Sequence, residues 1–204
     1  MCVANDVIAV TDEVYEHLVF DGEHRQLASF PGMAERTVTI SSAGKTFSFT
    51  GWKVGWACGP NELIRPIMTA KQFMTFVNAG PFQHAVAVGL RLGDDFYEGY
   101  TSTHLAKRDL LGGYLEAAGF GLHAAQGTYF STVDIRPVVE RHPSLPGDGV
   151  EFCLALPEAA GVVAVPVQVF HDDQRNGSNI IRFCFAKQDD TLIGAGERLV
   201  EAFA

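Results

Sequence analysis

Chemistry in this sequence concentrates between Ser41 and Trp56, in the run Ser-Ser-Ala-Gly-Lys-Thr-Phe-Ser-Phe-Thr-Gly-Trp-Lys-Val-Gly-Trp. Lys45 follows Ala43 and Gly44, whose small size leaves room for a bound cofactor to approach its amine. A lysine acts as nucleophile or base only as the free amine, a form that burial beside a cofactor favours. Two other motifs overlap here. Gly44-Lys45-Thr46 matches the end of the phosphate-binding G-x-x-x-x-G-K-[ST] loop, but Thr39 stands where that loop needs its first glycine. Ser42-x-x-Lys45 matches the S-x-x-K of penicillin-binding proteins, yet no S-D-N or K-T-G accompanies it.

Two more charged residues stand in apolar surroundings. Asp12 closes the run that begins Val7-Ile8-Ala9-Val10, and the carboxyl end of a strand is where open α/β sheets place ligands. Taken alone, Asp12 serves equally well as the cap of a following helix. Tyr15 shares its side if a helical turn begins at Asp12. Arg182 lies among Ile181, Phe183 and Phe185 on a strand, facing away from them. A guanidinium in that setting needs a partner, and an internal Asp or Glu would serve.

The elements that position these residues read as α/β. Val7–Val10 is short, continuous and β-branched, the pattern of a strand covered on both faces in a parallel sheet. Thr37–Ile40 is a second strand, ending in the small residues Ser41 to Gly44. From Ile64 to about Tyr100 the pattern is mostly helical with a break at Gly80-Pro81, as two helices or one bent one. After Gly93-Asp94-Asp95 the order becomes helix, strands, helix, strand, helix, which marks a second unit. It includes an amphipathic helix over Leu105–Ala118, a half-buried strand over Thr128–Asp134 in which Tyr129 and Phe130 are read as core, and a closing helix with Leu192, Ile193, Leu199, Val200 and Phe203 on one face.

With 204 residues, 47% of them apolar, the chain can bury a core. Its 15 basic and 24 acidic residues leave a net charge of −9 with no basic stripe, against a nucleic-acid or anionic-membrane partner. No apolar run approaches the roughly 18 residues of a membrane span, and the N-terminus has no signal-peptide pattern. Cys2, Cys58, Cys153 and Cys184 are too scattered for a metal finger or disulfide scaffold, so no metal site is expected and the thiols are read as reduced. A soluble, cytoplasmic protein is expected.

The sequence resembles the fold-type-I pyridoxal-phosphate aminotransferases, class I/II, in the branch with kynurenine, methionine and succinyldiaminopimelate aminotransferases. The matching residues are Asp12-Glu13-Val14-Tyr15-Glu16, Ser42-x-x-Lys45, Thr50-Gly51-Trp52-Lys53-Val54-Gly55-Trp56 and Ile181-Arg182-Phe183, in the family's order and spacing. The resemblance implies the C-terminal part of that fold. Residues 1–95 would be the end of the large, mostly parallel-sheet domain that binds the cofactor, and 96–204 a small α+β C-terminal domain. The N-terminal half of the family's architecture, with much of the phosphate cradle and the side-chain pocket, would precede Asp12.

By the same resemblance, Lys45 forms the Schiff base with pyridoxal 5'-phosphate and carries the proton between Cα and cofactor. Asp12 pairs with the pyridine nitrogen, and Tyr15 donates to the 3-oxygen. Ser42 and Lys53 hold the phosphate, with lysine standing where many relatives have arginine and offering a point charge instead of a bidentate fork. Arg182 binds the substrate α-carboxylate. The implied activity is amino transfer between an amino acid and a 2-oxo acid by a homodimeric enzyme. Two alternatives stay open: a non-catalytic binding or interaction fragment, and a pyridoxal-phosphate lyase on the same scaffold.

Overall fold

A computed structural model describes residues 1–204, and the chain divides into two units, Met1–Tyr100 and Thr101–Ala204. In the first, β1 (Ala9–Asp12) pairs in parallel with β2 (Thr37–Ser42). A short helix, α1 (Ala43–Thr46), follows β2 directly, and β3 (Gly55–Cys58) returns antiparallel to it, giving the order β1-β2-β3.

The first strand ends at Asp12 as expected and differs from the Val7–Val10 run in its start. It starts at Ala9 and runs through Asp12, and its apolar stretch is not covered: Val7, Ile8 and Val10 are 47%, 55% and 64% exposed. Within these 204 residues β1 has β2 alone beside it, which leaves its other edge and its apolar side chains bare. β2 also runs further than expected, to Ser42, because Ser41 and Ser42 continue the ladder opposite Trp56 and Gly55.

The region after β3 forms three helices: α2 (Asn61–Met74), α3 (Gly80–Gly89) and α4 (Asp94–Ala117). Gly80-Pro81 opens α3, since a first-turn proline gives up only an N–H that has no helical partner. The division between units falls at Tyr100, within α4.

The second unit is an antiparallel sheet with helices. Its strands are β4 (Gly121–Leu122), β5 (Phe130–Asp134), β6 (Val165–Pro166) and β7 (Ile180–Cys184), ordered β4-β5-β7-β6. Helices α5 (Arg136–Arg141), α6 (Gly149–Ala160) and α7 (Asp189–Phe203) complete it. Alternation sorts the strand residues as expected: Ser131, Val133, Ile181 and Phe183 are buried, whereas Phe130, Thr132, Arg182 and Cys184 are half-buried on the other face. Phe120 sits at the centre of the core, edge-on to Phe152, Phe183 and Phe203 at 5.8–6.2 Å. At Gly196 on α7, a Cβ would collide with the Tyr114 ring, so glycine sets how closely α7 lies against that side chain.

Candidate active site

The register of the parallel pair places Asp12 opposite Ile40, so Asp12 and the Ser42–Lys45 segment lie at the carboxyl ends of neighbouring strands. No regular helix follows Asp12. The chain makes successive turns, with Glu16 N donating to Glu13 O and Leu18 N to Tyr15 O, while the exposed Asp12 accepts from Val14 N at 3.3 Å. Tyr15 is half-buried within these turns.

Two carboxylates that sequence reasoning passed over hold this segment. Glu13, 7% exposed, accepts from Thr11 Oγ1 at 2.8 Å and from Leu27 N at 3.3 Å, and lies 2.8 Å from His24 Nε2. Burial alone would raise its pKa, but the hydrogen bonds from His24, Thr11 and Leu27 outweigh it and hold the group below the ordinary carboxylate value. Glu16 accepts from the buried Ser41 hydroxyl at 2.7 Å. Both stood within the Asp-Glu-Val-Tyr-Glu motif, but their partners are 11 and 25 residues away, beyond any local pattern.

The lysine segment is anchored from behind. Ala43 N donates to Val54 O at 3.0 Å, and Ala43 is fully buried against Val54, Val86 and the rings of Phe47, Phe49, Trp52 and Trp56. Phe47, Phe49, Trp52 and Phe82 stack in sequence, with centroid separations of 5.6, 4.2 and 4.4 Å. Tyr100 Oη donates to the Lys45 carbonyl at 3.1 Å. Gly44 is needed because a Cβ there would stand 3.0 Å from Thr50 Cα, tighter than ordinary contact.

Ser42, Lys45 and Lys53 line one concavity of about 650 Å³, with Trp56, Met68 and Lys71 among its other walls. Three lysines and no carboxylate line it, an environment suited to an anion. Asp12 and Tyr15 are not among its lining residues; they stand at the neighbouring strand end.

Arg182 belongs to the second unit. Its guanidinium carbon lies 4.0 Å from the Phe130 ring centroid and 4.9 Å from that of Phe170. The buried Nε has no hydrogen-bond partner, and no internal ion pair holds the group. The internal Asp or Glu that the sequence left open as a partner is therefore absent. Arg182 and Phe130 line a separate cavity of about 350 Å³, so Phe130 faces that cavity as well as packing beneath the guanidinium.

The profile of a family described as "Aminotransferase class I and II" matches residues 1–200. The chain belongs to the class I and II aminotransferases. Over 208 residues it is 46% identical to a probable N-succinyldiaminopimelate aminotransferase of Mycobacterium tuberculosis, covering 98% of this chain and 51% of that protein. Human kynurenine–oxoglutarate transaminase 1 is 37% identical, with 98% and 51% covered. The solved structure of the M. tuberculosis N-succinyldiaminopimelate aminotransferase superposes with a TM-score of 0.92 at 47% identity, over 98% of this chain and 51% of that one. The chain thus spans about half the length of the curated relatives it matches.

Class I and II aminotransferases depend on pyridoxal phosphate. The lysine-lined concavity fits such a group, since it offers an amine at Lys45 and, at Ser42 and Lys53, a hydroxyl donor and a cation for a phosphate dianion.

Proposed function

We propose that these residues belong to an aminotransferase that moves an amino group between an amino acid and a 2-oxo acid through a Schiff base at Lys45. The observation carrying this reading is the concavity where Lys45, Ser42 and Lys53 meet without any carboxylate. Because the chain spans about half of its relatives' length, the activity is proposed for the whole protein, and the 204-residue chain alone is expected to be weak or inactive.

When bound, the cofactor supplies an electron sink for the carbanion formed at the substrate Cα. The chain supplies the rest. Lys45 would hold the cofactor through its Nζ, and as a free amine it would move the proton at the substrate Cα. Ala43, buried in the core, and Gly44, packed against Thr50, fix the backbone that carries it. Asp12 would keep the ring nitrogen protonated, and Tyr15 would donate to the 3-oxygen. Ser42 and Lys53 bind the phosphate. Arg182 binds the substrate α-carboxylate, a role supported by its lack of any internal ion pair and by the two rings packed against its guanidinium.

Residues 1–95 are read as the end of the cofactor-binding domain and 96–204 as the small domain. The whole protein is read as a cytoplasmic homodimer. Four free cysteines fit a reducing compartment, and Phe73, Met74 and Phe76, exposed by 83%, 81% and 77%, offer an apolar surface for a partner. The same surface favours the second reading, a non-catalytic interaction fragment. Assaying the whole protein against a panel of amino donors, N-succinyldiaminopimelate, kynurenine and methionine among them, with 2-oxoglutarate as acceptor tests the proposal. Transfer from at least one donor, abolished by Lys45→Ala, is expected. No transfer from any donor would favour the interaction reading.

A further inference from the structure

Lys53 has φ +54° and ψ +41°, the left-handed region that residues with a side chain seldom adopt. Such a conformation persists where its surroundings impose it. The group that reaches Lys53 here is distant in sequence: Asn78 Nδ2 donates to the Lys53 carbonyl at 2.7 Å.

Asn78 is itself held from both flanking helices. Its Oδ1 accepts from Lys71 Nζ of α2 at 3.1 Å, and the same ammonium donates to Thr75 Oγ1 at 2.6 Å. Its backbone carbonyl accepts from Gln83 Nε2 of α3 at 2.7 Å. Phe76 and Ala79, near it on either side, are also left-handed, with φ of +56° and +44°. Of these three non-glycine residues, two lie within two positions of Asn78 and the third is bonded to it. With its oxygen committed to an ammonium, the Asn78 side chain presents its NH₂ to Lys53 and no other orientation satisfies both partners.

We propose that Asn78 is a positioning residue for the phosphate anchor, fixing the Lys53 backbone so that its ammonium serves the concavity it shares with Ser42 and Lys45. Lys71 lines that concavity too and sets the orientation of the amide. This inference rests on the reading of Lys53 as a phosphate-binding residue. Lysine offers the phosphate a point charge at the end of a four-carbon stem without arginine's fixed fork, and the main chain sets where that stem begins.

The test compares pyridoxamine 5'-phosphate with pyridoxamine on the whole protein, freed of cofactor, by calorimetry. Neither has an aldehyde to attach to other lysines, and their affinity ratio isolates the phosphate. Lys53→Ala should collapse the preference for the phosphorylated ligand. Asn78→Ala should reduce it by about 2- to 10-fold, the worth of one hydrogen bond, while leaving pyridoxamine affinity unchanged. Asn78→Asp keeps an acceptor for Lys71 but loses the donor to Lys53, so it should act like alanine. If Lys53→Ala collapses the ratio and folded Asn78 variants leave it intact, the inference is wrong and the Lys53 reading stands. A wild-type apoprotein that binds both ligands with no preference for the phosphorylated one overturns the Lys53 reading and this inference with it. Unfolding of both Asn78 variants would make Asn78 a residue of the fold and overturn the inference as well.

Discussion

The Ser41 hydroxyl donates to the Glu16 carboxylate at 2.7 Å, tying the turns that follow Asp12 to the strand that leads into Lys45. Ser41 is 1% exposed, so neither group can exchange this bond freely for water. The two stretches of chain carrying the proposed cofactor contacts are thereby joined by a side-chain bond in addition to the β1–β2 ladder.

Ser41→Ala should cost about 1–2 kcal/mol in chemical denaturation, because it leaves a largely buried carboxylate short of a donor. Glu16→Gln retains an acceptor oxygen and should cost less. Equal stability of wild type and Ser41→Ala would show that the bond contributes nothing to holding the turn.

Arg182 separates substrate binding from support of the fold. Its removal strands no carboxylate, and what is lost internally is the contact with Phe130 and Phe170, worth about 0.5–2 kcal/mol. In the whole protein, Arg182→Ala should lower kcat/KM for the amino donor on the order of 30- to 5,000-fold, as expected for losing one side of a charge-assisted pair. Melting temperature should fall only slightly and cofactor absorbance should not change. A large thermal loss with near-normal kinetics would make Arg182 a structural residue.

Asp134 gives the second unit a defined acid sensitivity. Burial works to raise its pKa, but hydrogen bonds from the Arg136 side chain and backbone and from Asn179, with the nearby guanidinium charge, bring it down to about 2 from 3.8. A depressed carboxylate contributes stability that is full above its unfolded value and disappears as pH falls through the folded one. The contribution, about 2 kcal/mol, should therefore be lost between about pH 4 and pH 2. Denaturation of Asp134→Asn across that range should show a flatter profile than wild type, and parallel profiles would contradict the assignment.

The sequence made much of this legible, for physical reasons that differ by element. Alternation around Ile181, Arg182 and Phe183 was readable because a half-buried strand has a two-residue period, and the structure sorts those residues as the pattern implies. The covered-strand pattern of Val7–Val10 concerns a whole sheet, and in the 204-residue chain β1 has β2 alone beside it. The antiparallel return of β3 and the turns after Asp12 had no local signature. Ser42, Lys45 and Lys53 were found as a motif, and they line one concavity. Glu13 with His24, Glu16 with Ser41, and Asn78 with Lys53 are pairings across 11, 25 and 25 residues, which a single sequence does not encode as a pattern.

The most direct measurement is the site of covalent attachment. Borohydride reduction of the whole protein with pyridoxal phosphate, followed by peptide mass mapping, should find the phosphopyridoxyl group on Lys45 and nowhere else in stoichiometric yield. The same treatment of Lys45→Ala should leave no stoichiometric label. Stoichiometric modification at Lys53, Lys71 or any other lysine, with Lys45 unmodified, would contradict the account.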